Sequence, residues 1–358
     1  MCRIPLRTFF WICVLTCFCL SAPGAETGKT LWSVSTFGES DYFVRPSDLE
    51  IDRGQSRIYV ADADGNRVLV FDFQGTYVRS IGKKGQGPGE FSRPTGLAMM
   101  KDSGLAVADF GNNRIQIFDK NGTHIRTISP KSARVAALVL ADDKFYTVPS
   151  FGVSGYSVTL GTEEKTQPLV SVLDDKGENV GEISVSAYPE SQPFIRAIKH
   201  RVCPALSPKG LLFLPHLALN VIHVFELAGK KVGEFTRPLP YKPVVPHLDA
   251  IRDTGEGVVQ MRSNHDIITV AARFGPDGNL YLLTRTESLA EHLKGNKDAR
   301  QLPPEPNRLD VIDPQTYRVV RTIPCDAGIA AFGFLDKARL VYIYEDSEGE
   351  LTLKCVSY

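Results

Sequence analysis

The sequence lacks an excess of charge of either sign, because 41 basic residues balance 41 acidic ones among its 358. A chain without net charge has no general attraction to nucleic acid, so we expect no nucleic-acid partner. Signatures of catalysis are also missing: there is no GxSxG elbow, no Walker loop and no CxxC pair. Long apolar runs are absent beyond the first 25 residues, which argues against a polytopic membrane protein.

The one apolar run lies at the N-terminus and has the pattern of a secretory signal peptide. Arg3 and Arg7 precede an uncharged run, residues 8–22, and small residues follow up to Ala25. An uncleaved anchor is the first alternative. A lipoprotein is the second, although Cys17 and Cys19 of the run have surroundings that resemble a lipobox poorly. The sequence predicts a signal peptide over 1–25 and a secreted or periplasmic mature chain, 26–358, with no membrane span after cleavage.

An internal repeat occupies the N-terminal third of the mature chain. Two segments, 45–82 and 93–129, each open with Arg-Pro and continue as IYVADADGNRVLVFD and LAVADFGNNRIQIFD. Asp62 of the first segment matches Asp109 of the second at an offset of 47, and an Asn-Arg pair follows in both. Each segment reads as four short strands separated by turn residues, which indicates an all-β repeat protein.

Both segments resemble NHL repeats, the blades of a β-propeller family with bacterial secreted or periplasmic members. The resemblance implies a six-bladed β-propeller of four-stranded antiparallel blades. Four degenerate blades can be traced over 134–184, 203–235, 272–323 and 329–358. The last has only three strands, so we predict that residues 31–38 supply its fourth and close the ring, leaving one propeller domain over 26–358.

Cysteine is too scarce in the mature chain for a disulfide framework. Only Cys203, Cys325 and Cys355 follow residue 25, and without the first 25 residues 39 basic residues face 41 acidic ones, a net charge of −2. At most one bridge can form. If one does, we expect Cys325–Cys355, because both fall in or beside the last blade.

Four long insertions interrupt the blades, at 151–167, 185–202, 236–267 and 285–306. Each joins a second strand to a third, or one blade to the next, and these two kinds of connection share one face of a propeller. Loops of this length in a compact domain are usually functional or disordered. The pattern therefore predicts a ligand site over the central channel, with neutral insertions as the alternative.

Basic residues concentrate on the insertion-bearing face. Arg45, Arg93 and Arg134 recur just before the innermost strand of three consecutive blades, and the next connection adds further cations. Guanidinium groups suit a carboxylate, sulfate or phosphate; the alternative is that each arginine pairs with an Asp of its own or a neighbouring blade. The candidate ligand-binding residues are Arg45, Arg93, Arg134, Arg196, His200, Arg201, His216 and Tyr344.

The ends of the second strands carry a second set of polar residues. Asp62 and Asp109 there are interpreted as turn residues that accept backbone N–H groups, and His216 replaces them in the fourth blade. No cofactor is predicted. Six-bladed amidating lyases, which look similar in fold, use a metal at the channel, so zinc or calcium is the alternative. Its candidate ligands here are His200, His216, His247 and His265.

The sequence thus predicts an extracytoplasmic NHL-repeat propeller that acts as a monomeric binding module. Its partner would be a protein, a peptide, a glycan or a small anionic ligand. The alternative function is a metal-dependent propeller enzyme, either amidating-lyase-like or a lactonase-like hydrolase. No catalytic residue can be named from the sequence.

Overall fold

The structure is a computed structural model, which describes residues 28–131, 134–150, 168–185, 195, 198–253, 259–288, 290 and 307–358. The chain enters through β1 (Thr30–Val34) and a small hairpin, β2 (Thr36–Phe37) and β3 (Asp41–Tyr42). Blade 1 is β4 (Pro46–Asp52), β5 (Arg57–Asp62), β6 (Arg67–Asp72) and β7 (Tyr77–Ile81). Blade 2 is β8 (Pro94–Met99), β9 (Leu105–Asp109), β10 (Arg114–Phe118) and β11 (His124–Ile128), with a 3-10 turn at Phe110–Asn112. Blade 3 is β12 (Arg134–Ala141), β13 (Lys144–Ser150), β14 (Val170–Leu173) and β15 (Asn179–Ile183).

The second half of the chain repeats this arrangement with one added hairpin. Blade 4 is β16 (Ala205–Leu206), β17 (Leu211–Pro215), β18 (Ile222–Glu226) and β19 (Lys231–Phe235). The hairpin of β20 (His247–Asp253) and β21 (Val259–Asn264) follows. Blade 5 is β22 (Thr269–Phe274), β23 (Leu280–Arg285), β24 (Asn307–Asp313) and β25 (Arg318–Cys325). Blade 6 is β26 (Ile329–Phe334), β27 (Arg339–Glu345) and β28 (Leu351–Ser357), with β1 as its outer strand.

The four-stranded sheets form a closed ring, because the innermost strand of each blade contacts that of the next, and β26 contacts β4. The chain is therefore a six-bladed β-propeller, as the repeats predict. Closure by the N-terminal segment is also confirmed, over a shorter span than the expected 31–38. β1 pairs antiparallel with β28, with Trp32 opposite Cys355 and Val34 opposite Leu353, whereas β2 pairs with β3. Among the described residues, no helix combines the length and the apolar character needed to cross a membrane.

The apolar pattern of each strand follows its place in the blade. The middle strand β5 is buried along almost its whole length because neighbouring blades cover both of its faces. The outer strand β7 alternates between exposed and more buried residues because one of its faces meets solvent. Within the described part, six apolar clusters fill the six interfaces between blades. The cluster that joins blade 6 to blade 1 contains Phe71 and Val341.

The turns between third and fourth strands explain the repeated Asp at the end of the third strand. Asp72 Oδ1 accepts the backbone N–H groups of Gln74 at 2.9 Å and Thr76 at 2.8 Å. Gly75 has φ +83° in this turn, a conformation that glycine adopts without steric penalty. Asp119 and Asp174 hold the matching turns of blades 2 and 3 in the same way.

The three described cysteines are free. Cys355 lies in the cluster between blades 6 and 1, whereas Cys325 packs against the cluster between blades 5 and 6. The Cys325–Cys355 bridge expected if any formed is therefore not made, because blade 6 separates the two thiols.

Candidate functional site

A cavity of about 390 Å³ occupies the centre of the ring. All six blades contribute to its wall, mainly through their innermost strands. Most of the lining side chains are small and apolar, and a few are polar or charged: Ser47, Asp48, Thr95, Arg201, Cys203 and Arg273. Its size falls in the range of small-molecule sites, about 300–1,000 Å³.

A one-residue register shift recurs near the start of the innermost strand and shapes this wall. In blade 1, Pro46 pairs with Asp62 and Asp48 with Ala61, so Ser47 is left without a partner in the ladder. The same shift occurs in blades 2, 3, 5 and 6. In each of these five blades the shift leaves one residue unpaired. All five unpaired residues line the cavity: Ser47, Thr95, Ala136, Val270 and Ala330. A β-bulge re-aims the extra residue, so here Ser and Thr line the cavity from blades 1 and 2 and aliphatic residues line it from blades 3, 5 and 6.

Deeper in the channel, a guanidinium joins two blades. Arg273 of blade 5 forms ion pairs with Asp48 and Glu50 of blade 1, the second at 3.5 Å from Nη2 to Oε1. Asp48 Oδ2 also accepts the backbone N–H of Leu97 at 2.8 Å. Burial raises the pKa of Glu50 to about 7 despite the opposing charge of Arg273. Burial disfavours the charge of Arg273, but Asp48 and Glu50 outweigh it and raise its pKa.

Two of the predicted rim arginines lie on either side of one carboxylate. Arg45 Nε is 3.1 Å from Asp64 Oδ2 and Arg93 Nε is 3.6 Å from Asp64 Oδ1. The arginine side chains are 50% and 47% exposed, so both pairs are open to solvent. Arg134 is the first residue of β12, as the repeat predicts, and its side chain lies outside the described part. Arg196 lies outside the described residues altogether.

Arg201 occupies in blade 4 the position that Arg45 occupies in blade 1. The carbonyl of Arg45 accepts the N–H of Ala63 at 2.8 Å, and that of Arg201 accepts the N–H of Leu217 at 2.9 Å. In both cases the donor lies within two residues of the end of the second strand. Arg201 borders the cavity and is exposed, and no carboxylate pairs with it within the described ranges. Nearby, burial raises the pKa of the Cys203 thiol to about 12, so this thiol is uncharged at neutral pH.

The structural interpretation of Asp62 and Asp109 is confirmed. Asp62 Oδ1 accepts the N–H groups of Val44 and Arg45 at 3.0 and 2.7 Å, and its Oδ2 is 3.1 Å from Arg67 Nε. Asp109 likewise accepts the Ser92 N–H at 2.7 Å and pairs with the arginine of the following strand. Both carboxylates are fully buried, so they hold turns and do not face a ligand.

Blade 5 builds the same junction from different residues. Thr284 is the penultimate residue of the second strand, and the carboxylate comes from Asp310 on the third. Asp310 Oδ2 accepts the Thr284 hydroxyl at 2.8 Å and lies 3.1 Å from Nε of Arg237, which arrives from the connection after blade 4. Arg308 Nε lies 2.7 Å from Asp310 Oδ1. The Arg237 and Asp310 side chains are 1% and 0% exposed, so this ion pair fixes blade 4 to blade 5 out of contact with water.

His216 stands where blades 1 and 2 place Asp, and its environment keeps it neutral. Its Nδ1 lies 2.5 Å from the Lys199 carbonyl, and its ring centroid is 5.0 Å from that of His223. Burial lowers the pKa of His216 to about 3 and also lowers that of His223. A neutral His216 donates Nδ1–H to the carbonyl, which fixes its tautomer.

The remaining predicted site residues are dispersed. His200 is buried next to Arg201, His265 is partly buried after β21, and His247 is exposed at the start of β20. Tyr344 is the penultimate residue of the second strand of blade 6, and the Lys354 ammonium lies 5.6 Å from its ring centroid. Over the described ranges, no three His, Cys, Asp or Glu side chains are grouped so that they could hold a metal ion.

The sequence reasoning missed the residues of the deep channel. Asp48, Glu50, Thr95 and Arg273 were not among its candidates. One signal was available, since the first repeat reads RPSDL where the second reads RPTGL. The Asp in place of Gly is the residue that Arg273 binds.

The match to a family model agrees with this fold. A family model, DUF5128, described as a 6-bladed beta-propeller, matches residues 42–192. No curated protein matches the chain. Among solved structures, the chain is similar to "Kuenenia stuttgartiensis Hydrazine Synthase" with 13% identity and a TM-score of 0.47. That match covers 87% of this chain and 79% of the other.

Proposed function

We propose that this propeller is a binding module that takes a negatively charged ligand at the mouth of its central channel. The observation that carries the proposal is Arg201, an exposed guanidinium that borders a cavity of about 390 Å³ and has no carboxylate partner in the described part of the chain. A guanidinium presents a planar fork of donors that matches a carboxylate or phosphate. No observation among the described residues favours the alternative of a metal-dependent lyase or hydrolase.

The other rim arginines support an attraction for anions. Arg45 and Arg93 share the single carboxylate of Asp64, so two positive charges face one negative charge. Ion pairs this exposed contribute little stability, about 0–1 kcal/mol. An incoming anion can therefore compete with Asp64 for either arginine. The sequence adds Arg134 and Arg196 to the same face.

We also propose that the protein is an NHL-type propeller that works outside the cytoplasm. The repeated Asp and Asn-Arg residues support the first part, since Arg67, Arg114 and Arg308 all pair with a buried Asp at a blade junction. The charged, apolar and small residues of 1–25 support the second part. A small anionic ligand fits the cavity. A protein, peptide or glycan carrying an acidic group could bind across the rim of the monomer.

The experiment is calorimetric titration of the protein with citrate, sulfate and inorganic phosphate. We expect at least one anion to bind, and Arg201→Gln to weaken that binding about ten- to a hundredfold, as expected for the loss of a hydrogen bond to a charged group. Added salt should weaken binding further. The matched control is Arg318→Gln, at the start of β25 on the short-turn face. Equal affinity in the wild type and Arg201→Gln, or no binding of any of the three anions, would contradict the proposal.

A further inference from the structure

We propose that the occupant of the central cavity is a small amphipathic carboxylate, with its charged end at Arg201 and its aliphatic body against the walls of blades 3, 5 and 6. This inference rests on the proposed function, because it names the ligand class of the same site. The size of the cavity, the division of its wall and the order of charges along the channel support it.

The volume of the cavity limits the ligand. About 390 Å³ corresponds to roughly 13 water molecules at about 30 Å³ each. A linear acid of about eight to ten non-hydrogen atoms fits this space. A polymer would have to leave most of its length outside, above the rim.

The wall divides into an aliphatic side and a hydroxyl side. Ala136, Val270 and Ala330 face the cavity from blades 3, 5 and 6. Ser47 and Thr95 face it from blades 1 and 2. An apolar chain gains affinity only on the aliphatic side, by about fourfold for each methylene group removed from water.

The hydroxyl side offers no free hydrogen-bonding group at the cavity surface. The Ser47 hydroxyl donates to the carbonyls of Ala61 and Pro94 at 3.2 and 3.1 Å, so it is already engaged. Thr95 Oγ1 is buried out of contact with solvent, so a ligand in the cavity does not reach it. We therefore expect a hydroxyl group on the ligand body to add little affinity.

The order of charges along the channel sets the orientation of the ligand. Arg201 precedes Val202, which pairs with His216 at the insertion-bearing end. Arg273 lies further along its strand, where Asp48 and Glu50 already engage it. These two carboxyls already compensate the charge of Arg273 at the deep end, whereas the rim guanidinium has no such competitor among the described residues. The acid group therefore points outward and the aliphatic end inward.

The test is a calorimetric titration of the full chain with butanoate, hexanoate and octanoate. Hexanamide and hexylamine serve as the neutral and cationic analogues. We expect affinity to rise about fourfold per methylene group until the cavity is full, and hexanoate to bind at least tenfold more tightly than hexanamide. Arg201→Gln should remove the preference for hexanoate over hexanamide, and Arg318→Gln should leave it intact.

Filling the cavity tests the aliphatic wall separately from the charge. Ala136 is a bulged residue of the wall, so Ala136→Leu should weaken octanoate binding by tenfold or more without altering the rim. Ala330→Leu, from the opposite side of the ring, is the second variant in case the first fails to fold, which a thermal melt will show.

The outcomes separate this inference from the proposed function. If chain length and Ala136→Leu have no effect, while Arg201→Gln still abolishes binding of citrate or sulfate, the ligand class is wrong and the anion site stands. If hexylamine binds more tightly than hexanoate, the orientation and ligand class are both wrong. If Arg201→Gln changes no affinity at all, the inference and the proposed function fail together.

Discussion

The buried ion pair between blades 4 and 5 provides the sharpest test of how this ring is held together. Asp310→Asn removes the negative charge but preserves the size of the side chain. Arg237 is then left without a compensating charge in a site where its side chain is 1% exposed. Breaking a buried pair in this way costs about 3–5 kcal/mol.

An exposed ion pair of the same chain serves as the control for the buried pair. Lys101 Nζ lies 3.0 Å from Asp143 Oδ1, but the two side chains are 76% and 80% exposed. Asp143→Asn should therefore change the free energy of unfolding by no more than about 1 kcal/mol. Urea denaturation of both variants against the wild type measures the difference.

A double variant separates the two contributions to the loss. Arg237→Met in the Asp310→Asn background removes the uncompensated charge, so we expect part of the lost stability to return. Arg237→Met alone should also destabilise the protein, because the buried Asp310 carboxylate then keeps only Arg308 and the Thr284 hydroxyl as partners. If Asp310→Asn proves no more harmful than Asp143→Asn, the pair does not carry the junction and the reasoning fails.

Three further predictions concern closure, pH and thiols. A chain that starts after Val34 should melt at a much lower temperature than a control that starts at residue 28, because blade 6 loses its outer strand; equal melting temperatures would contradict closure by β1. Burial lowers the folded-state pKa of His216 to about 3, below the ordinary value of about 6.5, so its contribution to stability is complete above that ordinary value and decreases as the pH falls toward 3. The free energy of unfolding should therefore fall less steeply between pH 7 and 4 in His216→Asn than in the wild type. If the urea midpoints of the two proteins change with pH by the same amount, the prediction is wrong. Cys203, Cys325 and Cys355 should all react with an alkylating agent in denaturant without reductant, as counted by intact mass, and one reactive thiol would instead reveal a bridge.

The sequence predicts the ring well because the information that specifies a blade is local. The Asp of each tight turn and the Asn-Arg pair lie within one repeat, and their hydrogen-bond partners are close along the chain or in the next blade. The replacement of Asp62 by His216 in blade 4 could be located for the same reason, since the register places it opposite Val202 just as Asp62 is placed opposite Pro46.

The interior of the channel could not be predicted in the same way. Arg273 binds Asp48 across 225 positions of sequence, and only the closed ring brings blade 5 that close to blade 1. The repeat pattern does not predict the role of Asp310, because this carboxylate lies on the third strand of its blade, whereas Asp62 and Asp109 lie on the second. The register shifts that aim Ser47 and Ala136 at the cavity arise from strand pairing and leave no mark in composition.

The pairing of β1 with β28 also constrains the order in which the molecule can be made. β1 is synthesised first, yet its partner is nearly the last segment to be synthesised. Blades 1 to 5 can form while the chain is still growing, but blade 6 stays an open edge until both ends meet. Long-range pairing of this kind is slow to form and leaves an exposed strand edge in the interval. The nascent ring therefore passes through a stage in which β1 has no strand to pair with, although the Trp32 indole can already donate to the Phe73 carbonyl of blade 1.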